Sequence, residues 1–305
     1  MAFVGKGGIS ARILAHSIAP WGKEIVTFEL EYPRFIHAEV MTHRLFSRNS
    51  ASSRAIPVKK IIDLLTTNPA TPIFWGKNQT GMQAMEETAS LVDVGGKKVP
   101  REEAWRLASE AAINIAKGMS EASYHKQIVN RLVEPFQMIK VVITATELAN
   151  FFHLRDHEAA QPEIAELARV MRKVLTKSQP VPRKRGSEDI RDEYHLPYIS
   201  DEERKKYEIE ELTQISSARC AAVSYRNEDY SLEKSKQVYA RLIEGEQKHS
   251  SALEHVARVM LSEEGVGSYE KGVSHIDVHG GLWSGNFKGW VQHRKTVDGE
   301  AKWDP

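Results

Sequence analysis

The chain has 305 residues, 41% of them hydrophobic, so it can bury a real core in one large domain or two smaller ones. Its formal net charge is +1, against the clear basic excess of proteins that live on duplex nucleic acid, and its one cysteine, Cys220, excludes an intramolecular disulfide. No run approaches the ~18 apolar residues of a membrane helix, and the N-terminus lacks the apolar stretch of a signal peptide; a soluble cytoplasmic protein is expected.

In chain order, residues 9–18 alternate with Ile9, Ala11, Ile13 and Ala15 on one side, and residues 24–32 with Val26, Phe28, Leu30 and Tyr32. Ala-Pro-Trp-Gly-Lys between them is a turn, which predicts a hairpin. Pro33 suits a helix start, and Phe35, Ala38, Met41, Thr42 and Leu45 carry helical spacing to about Arg44. A polar loop is then expected, followed by a helix opened by Pro57. Residues 67–98 read as irregular. Pro100 with Glu102 and Glu103 starts another helix. Residues 124–145 are predicted as a helix bent at Pro135, and Pro162 to about Lys177 as a further one.

Residues 179–206 are charge-rich and read as a linker, with the triplet Arg183-Lys184-Arg185 solvated. That divides the chain into residues 1–178, the linker, and residues 207–305. In the last part, Ile215–Tyr225 reads as a strand or buried apolar segment, Leu232–Ile243 as an amphipathic helix, Val256–Leu261 as a strand and residues 265–285 as loop.

The chemistry concentrates in Thr42–Arg54. This stretch offers His43, the guanidiniums of Arg44, Arg48 and Arg54, the hydroxyls of Ser47, Ser50, Ser52 and Ser53, and the Asn49 amide, with no carboxylate. Arginine forks and serine hydroxyls match phosphate oxygens, so the stretch reads as a phosphate cradle; a solvated polar loop would show the same composition. Arg131 lies with Gln127 and Glu134 on one side of the segment, as part of a site or of a wet face. Arg155 follows Phe151, Phe152 and Leu154, either snorkelling to water or held at the rim of an apolar pocket. The histidines at 249, 255, 275, 279 and 293 lack the tight grouping of a zinc site, and Cys220, among alanines, reads as an inert buried thiol.

His43-Arg44, seven residues and Ser52, with Ser47, Asn49 and Arg54, resemble the signature of the flavin-dependent thymidylate synthases. Phe151-Phe152-His153-Leu154-Arg155 with Ala160-Gln161-Pro162-Glu163-Ile164, and Asn130-Arg131-Leu132-Val133-Glu134-Pro135, resemble two further hallmarks of that family. Ala218-Arg219-Cys220, Val223-Ser224-Tyr225 and His249 to His255 are similar to segments that open the usual family sequence, but here they follow the signature. The chain therefore resembles the longer, rearranged members associated with phages, which would place it in a host cytoplasm.

The resemblance implies an α+β fold, a mixed or antiparallel sheet packed with helices, assembled as a homotetramer with active sites shared between subunits. It implies C5 methylation of dUMP to dTMP with FAD, NADPH and 5,10-methylenetetrahydrofolate, and no protein nucleophile. Arg155 matches the catalytic position at the pyrimidine. Glu39, Ser52, Arg54, Gln127 and Arg131 match substrate positions. Thr42, His43, Arg44, Ser47, Asn49, Asn150 and His255 match cofactor positions. No metal, membrane or duplex nucleic acid is implied. Three departures stand out: Thr42 replaces the first signature arginine, Ser50 a glutamate, and Glu39 a glutamine that touches the nucleotide. A carboxylate accepts from a cytosine amino group as it cannot from uracil, so C5 methylation or hydroxymethylation of dCMP or another pyrimidine nucleotide is the alternative. A non-catalytic phosphate-binding protein would explain the Arg/Ser stretch but not the other segments.

Overall fold

A computed structural model describes residues 2–224, 231–244, 248–264 and 269–301. Its centre is a six-stranded sheet in the order β1 (Ala2–Val4), β2 (Ser10–Ile18), β3 (Glu24–Pro33), β7 (Met138–Ala145), β4 (Ser47–Ser50), all antiparallel, with the short β8 (Val181–Pro182) parallel to β2. The predicted hairpin is β2–β3. Its register shifts between Ile13 and Ala15, so the simple alternation expected through Ala15 breaks there. Leu14 is thereby turned to the opposite face from Ile9, Ala11 and Ile13.

The sheet is covered on both faces. Helix α6 (Pro162–Leu175) lies across one face and buries Ile164, Leu167, Ala168 and Met171 against Phe28, Leu30, Val141 and Ile143. Helix α8 (Ile209–Ala221) lies on the other, where Cys220 meets Val142. A run buried on both faces does not alternate, and this accounts for the main disagreement with the sequence reading. Residues 124–145 are not one helix. A short α4 (Lys126–Val129) passes into a 3-10 turn over Asn130–Phe136, and β7 follows. Pro135 lacks the donor a continuing helix needs, and Ile139, Val141, Val142, Ile143 and Thr144 are β-branched and favour the pleated surface.

Three other expectations change. The helix after Pro33 is shorter: a 3-10 turn over Arg34–Ile36 and α1 (His37–Met41), ended where Arg48 Nη1 donates to the carbonyls of Met41 at 2.6 Å and His43 at 3.3 Å. Residues 47–50 are then edge strand β4 rather than loop. The described part of Ile215–Tyr225 is helical, within α8, whose apolar positions Ile209, Leu212 and Ile215 recur every three residues behind a Glu208/Glu211 capping box. Tyr225 itself lies outside the described residues.

The other helices begin near their predicted prolines: α2 (Val58–Thr67), α3 (Arg101–Glu121) and α6; α5 (Ala149–Arg155) carries the aromatic run, α7 (Asp201–Lys206) follows Ser200, and α9 (Leu232–Ile243) has its predicted bounds. The irregular stretch holds one small hairpin, β5 (Val92–Val94) with β6 (Lys97–Val99). Residues 179–206 are more ordered than a solvated linker. They supply β8 and β9 (Tyr194–His195), and the Arg183 and Arg185 side chains are 11% and 18% exposed beside Asp192 and Glu193. β9 joins β10 (Ala257–Val259) and β14 (Trp290–Gln292) in a second sheet, and β11 (His275–Ile276), β12 (Leu282–Ser284) and β13 (Phe287–Lys288) form a third, the first two of these strands within the stretch read as loop. No helix among the described residues is long and apolar enough to cross a membrane.

Candidate active site

The site is built where α1, β4 and the end of α5 meet. Phe151 of α5 is buried, and His43 packs its ring edge-on against it at 4.8 Å. Arg155, one turn further along α5, donates from Nε to His43 Nε2 at 3.0 Å. A donor on Nε2 requires that nitrogen to be an acceptor, so His43 is neutral with its proton on Nδ1. Its surroundings enforce this: burial, then the charges of Arg155 and Arg48, push the His43 pKa down to about 4. Arg155 spends one nitrogen on the contact, and its terminal Nη groups have no hydrogen-bond partner among the described residues. Arg155 is half-buried at the end of the aromatic run.

Arg48 also acts on a second cluster, around His37 and Arg34. His37, hydrogen-bonded at Nδ1 to Tyr32 Oη at 2.9 Å, has its pKa lowered to about 4 by burial and by Arg34 and Arg48. Arg34 pairs through Nη2 with Glu134 Oε1 at 2.9 Å, and Ser53 Oγ donates to the same oxygen at 2.8 Å. Arg131 reaches it at 3.3 Å. Asn130 fixes the Ser53 end by donating to the carbonyls of Ser53 at 2.7 Å and Ile56 at 3.0 Å. Arg131 and, from the donor-rich stretch, Ser53 meet Arg34 on Glu134, whereas Arg48 donates to backbone carbonyls and Arg44 and Arg54 are exposed. Glu134 shows in the sequence through its spacing from Arg131 and its place in the segment 130–135. Arg34 gave no sequence signal beyond following Pro33.

The remaining candidates divide. Arg44, Arg54, Gln127 and Asn150 are exposed and open to a ligand, and Ser52 is half-buried beside Ser53. Thr42 donates to the Glu39 carbonyl at 2.6 Å. One carboxylate oxygen of Glu39, Oε2, is buried without a hydrogen-bond partner. Ser47 and Asn49 point instead into the C-terminal part: Ser47 Oγ meets Asn286 Oδ1 and Gln292 Nε2 at 3.1 Å each, and Asn49 donates to the Cys220 carbonyl at 2.8 Å and accepts from Ser251 Oγ at 3.2 Å. These two hold the signature strand to the C-terminal half. His255 is wholly buried, with Nδ1 on Thr144 Oγ1 at 2.8 Å and Nε2 unpartnered, and burial lowers its pKa to about 3. Cys220 is buried, which raises its thiol pKa and keeps it protonated.

Beyond Arg155, the loop 157–161 borders a cavity of about 650 Å³ whose far wall includes Phe74, Met82, Met85 and Trp105 from the irregular segment and α3. Its floor carries Gln161 and Glu163, and Glu163 is held by the Ile73 amide at 2.8 Å.

A family model described as thymidylate synthase complementing protein matches residues 19–181, just over half of the chain. The match contains His43, Arg155 and the Arg34–Glu134 cluster, whereas His255 and the partners of Ser47 and Asn49 lie beyond it. The segments from Ala218 and His249 that resemble the family lie beyond it. No curated protein matches the chain.

Proposed function

Because this chain belongs to the thymidylate synthase complementing protein family, the flavin-dependent thymidylate synthases, we propose that it methylates dUMP at C5 to give dTMP. FAD reduced by NADPH, with 5,10-methylenetetrahydrofolate, would supply the hydride and the one-carbon unit when bound. The donor set suits such ligands. Arg44 and Arg54 are exposed, and the buried Nε2 of His255 has no partner among the described residues. The aromatic wall of the cavity beyond Arg155 suits a ring-bearing cosubstrate.

The observation that carries the reading is the Arg155–His43 contact at 3.0 Å. C5 of a pyrimidine is a weak nucleophile, and it becomes a stronger one as negative charge develops on O4, O2 or N3. A guanidinium held in place before the reaction stabilises that charge without reorganising. His43 does the holding: as a neutral acceptor it takes Arg155 Nε and leaves the two Nη groups to face the base. The cations Arg34, Arg131 and Arg54, with Ser52 and Ser53, suit the nucleotide phosphate. In our reading the complete site is shared between copies of a homotetramer, with Met41, Leu45 and Leu154, all exposed beside the site, covered by a neighbouring subunit.

A second reading is favoured by one feature. The unpartnered buried oxygen of Glu39 is an acceptor awaiting a donor, and the cytosine amino group is such a donor, which makes dCMP the alternative substrate, receiving methyl or hydroxymethyl. Turnover assays with dUMP and dCMP side by side decide between them. Product from dUMP is expected; product from dCMP alone would transfer the assignment to cytosine.

A further inference from the structure

Glu134 gathers more donors than its position requires. It lies in the 3-10 turn Asn130–Phe136, three residues from Arg131, and a surface pair at that spacing would account for a single contact. Instead its Oε1 takes Arg34 at 2.9 Å and Ser53 Oγ at 2.8 Å as well as Arg131 at 3.3 Å. Ser53 is 3% exposed and comes from the donor-rich stretch, Arg34 from the turn before α1, and Arg131 from the turn after α4. Three separate segments therefore aim two guanidiniums and a hydroxyl at one anion. That is the donor set that holds a phosphate.

We propose that Glu134 is an internal anion that fills this cradle while the site is empty, and that the phosphate of the nucleotide displaces it. The inference rests on the nucleotide reading above. Without a counter-anion, Arg34 and Arg131 would repel one another, and the carboxylate keeps them converged. A carboxylate and a phosphate cannot share the same donors, because like charges at that range repel. The Glu134 side chain is 21% exposed, so it has a path to water when it gives way. A monophosphate, with greater charge and more acceptor oxygens, outcompetes it, whereas a ligand lacking phosphate gains nothing from the exchange. Glu134 thus sets how strongly the phosphate is read and leaves the base unaffected.

The test is calorimetric titration of the full-length protein with dUMP, deoxyuridine, dCMP, deoxycytidine and inorganic phosphate. In Glu134→Gln the competing charge is gone while the shape is kept, and monophosphate and inorganic phosphate should bind roughly tenfold tighter with nucleoside affinity unchanged. Glu134→Asp keeps the charge but is one methylene too short to reach all three donors; it should show a smaller gain in the same direction, and it serves if the glutamine variant fails to fold. Unchanged or weaker monophosphate binding in the folded variants would make Glu134 a fixed part of the scaffold and overturn the inference while leaving the nucleotide reading intact. Failure of wild type and variants alike to bind either monophosphate would overturn both.

Discussion

Arg155 enters the site with one of its three nitrogens already committed. The bond to His43 Nε2 orients the guanidinium plane, and the depressed pKa of His43 keeps that bond intact at neutral pH, because an imidazolium would have no lone pair to offer. Removing the arginine should therefore remove charge stabilisation and little else. Arg155→Ala is expected to lower kcat by at least about 100-fold, the usual cost of losing a preorganised donor, while bound flavin, read from its visible absorbance, stays near the wild-type content. Near-normal turnover would take Arg155 out of the mechanism. The same scale shows why some candidates were legible and others were not. Arg155, His43 and Arg131 were visible because charged residues stood at motif spacings. Ser47 and Asn49 belonged to the same motif, yet their side chains turn inward to Asn286, Gln292 and Ser251, more than 200 positions away in sequence for Asn49 and Ser251. Nothing local announces such a partner. Arg34 escaped notice for the same reason, since its meaning comes from Glu134 and Ser53 in other segments.

At the scale of elements, the proline-opened helices and α9 were readable because each has one wet face and one buried face, and the hairpin because Glu29 and Glu31 interleave with Phe28, Leu30 and Tyr32. β7 and α8 were not. β7 is buried on both sides between α6 and α8 and so shows no alternation, and its β-branched run was lost in an apparent helical pattern continuing from Val129 and Val133. In α8 the small residues Ser216, Ser217, Ala218 and Cys220 blur the stripe that Ile209, Leu212 and Ile215 begin. The doubly buried β7 also carries a polar crossing. Thr144 stands opposite Thr27 in the register, and the hydroxyls, 2.7 Å apart, link His255 on one side to His195 on the other. His195 Nδ1 ends the chain on Ser17 Oγ at 3.0 Å. Thr144→Val would keep the shape and strand propensity but leave Thr27 and His255 each short of a partner. The expected loss is about 1–3 kcal/mol in urea unfolding, with the secondary structure unchanged by circular dichroism. An unfolding midpoint equal to wild type would show that these hydroxyls are satisfied in some other way.

For the whole molecule, the two buried histidines couple stability to pH. Burial lowers the pKa of His255 to about 3 and that of His195 well below its ordinary 6.5. Both groups are therefore neutral in the folded protein where the unfolded chain would protonate them. Their contribution is fully present above about pH 6.5 and is lost as the pH falls from there, at about 1.4 kcal/mol per pH unit for each histidine, until the folded pKa is reached. Denaturant midpoints should hold from pH 7.5 to about 6.5 and fall from there to pH 5, and replacing His255 with asparagine should flatten that slope; a pH-independent midpoint down to pH 5 would contradict the assignment. The same two histidines tie β9 and the 3-10 turn Ser250–His255 to the central sheet, so the C-terminal residues are fastened to the signature-bearing part through its core as well as through Ser47 and Asn49. That arrangement explains how segments placed after the signature can still complete one fold. The central claim, that the fold holds a flavin beside a pyrimidine nucleotide, is tested most directly by anaerobic reduction of the purified protein with NADPH, followed in the visible spectrum with and without dUMP. A flavin spectrum that bleaches, and bleaches faster when dUMP is present, is the predicted result; a protein that retains no added FAD would contradict the account.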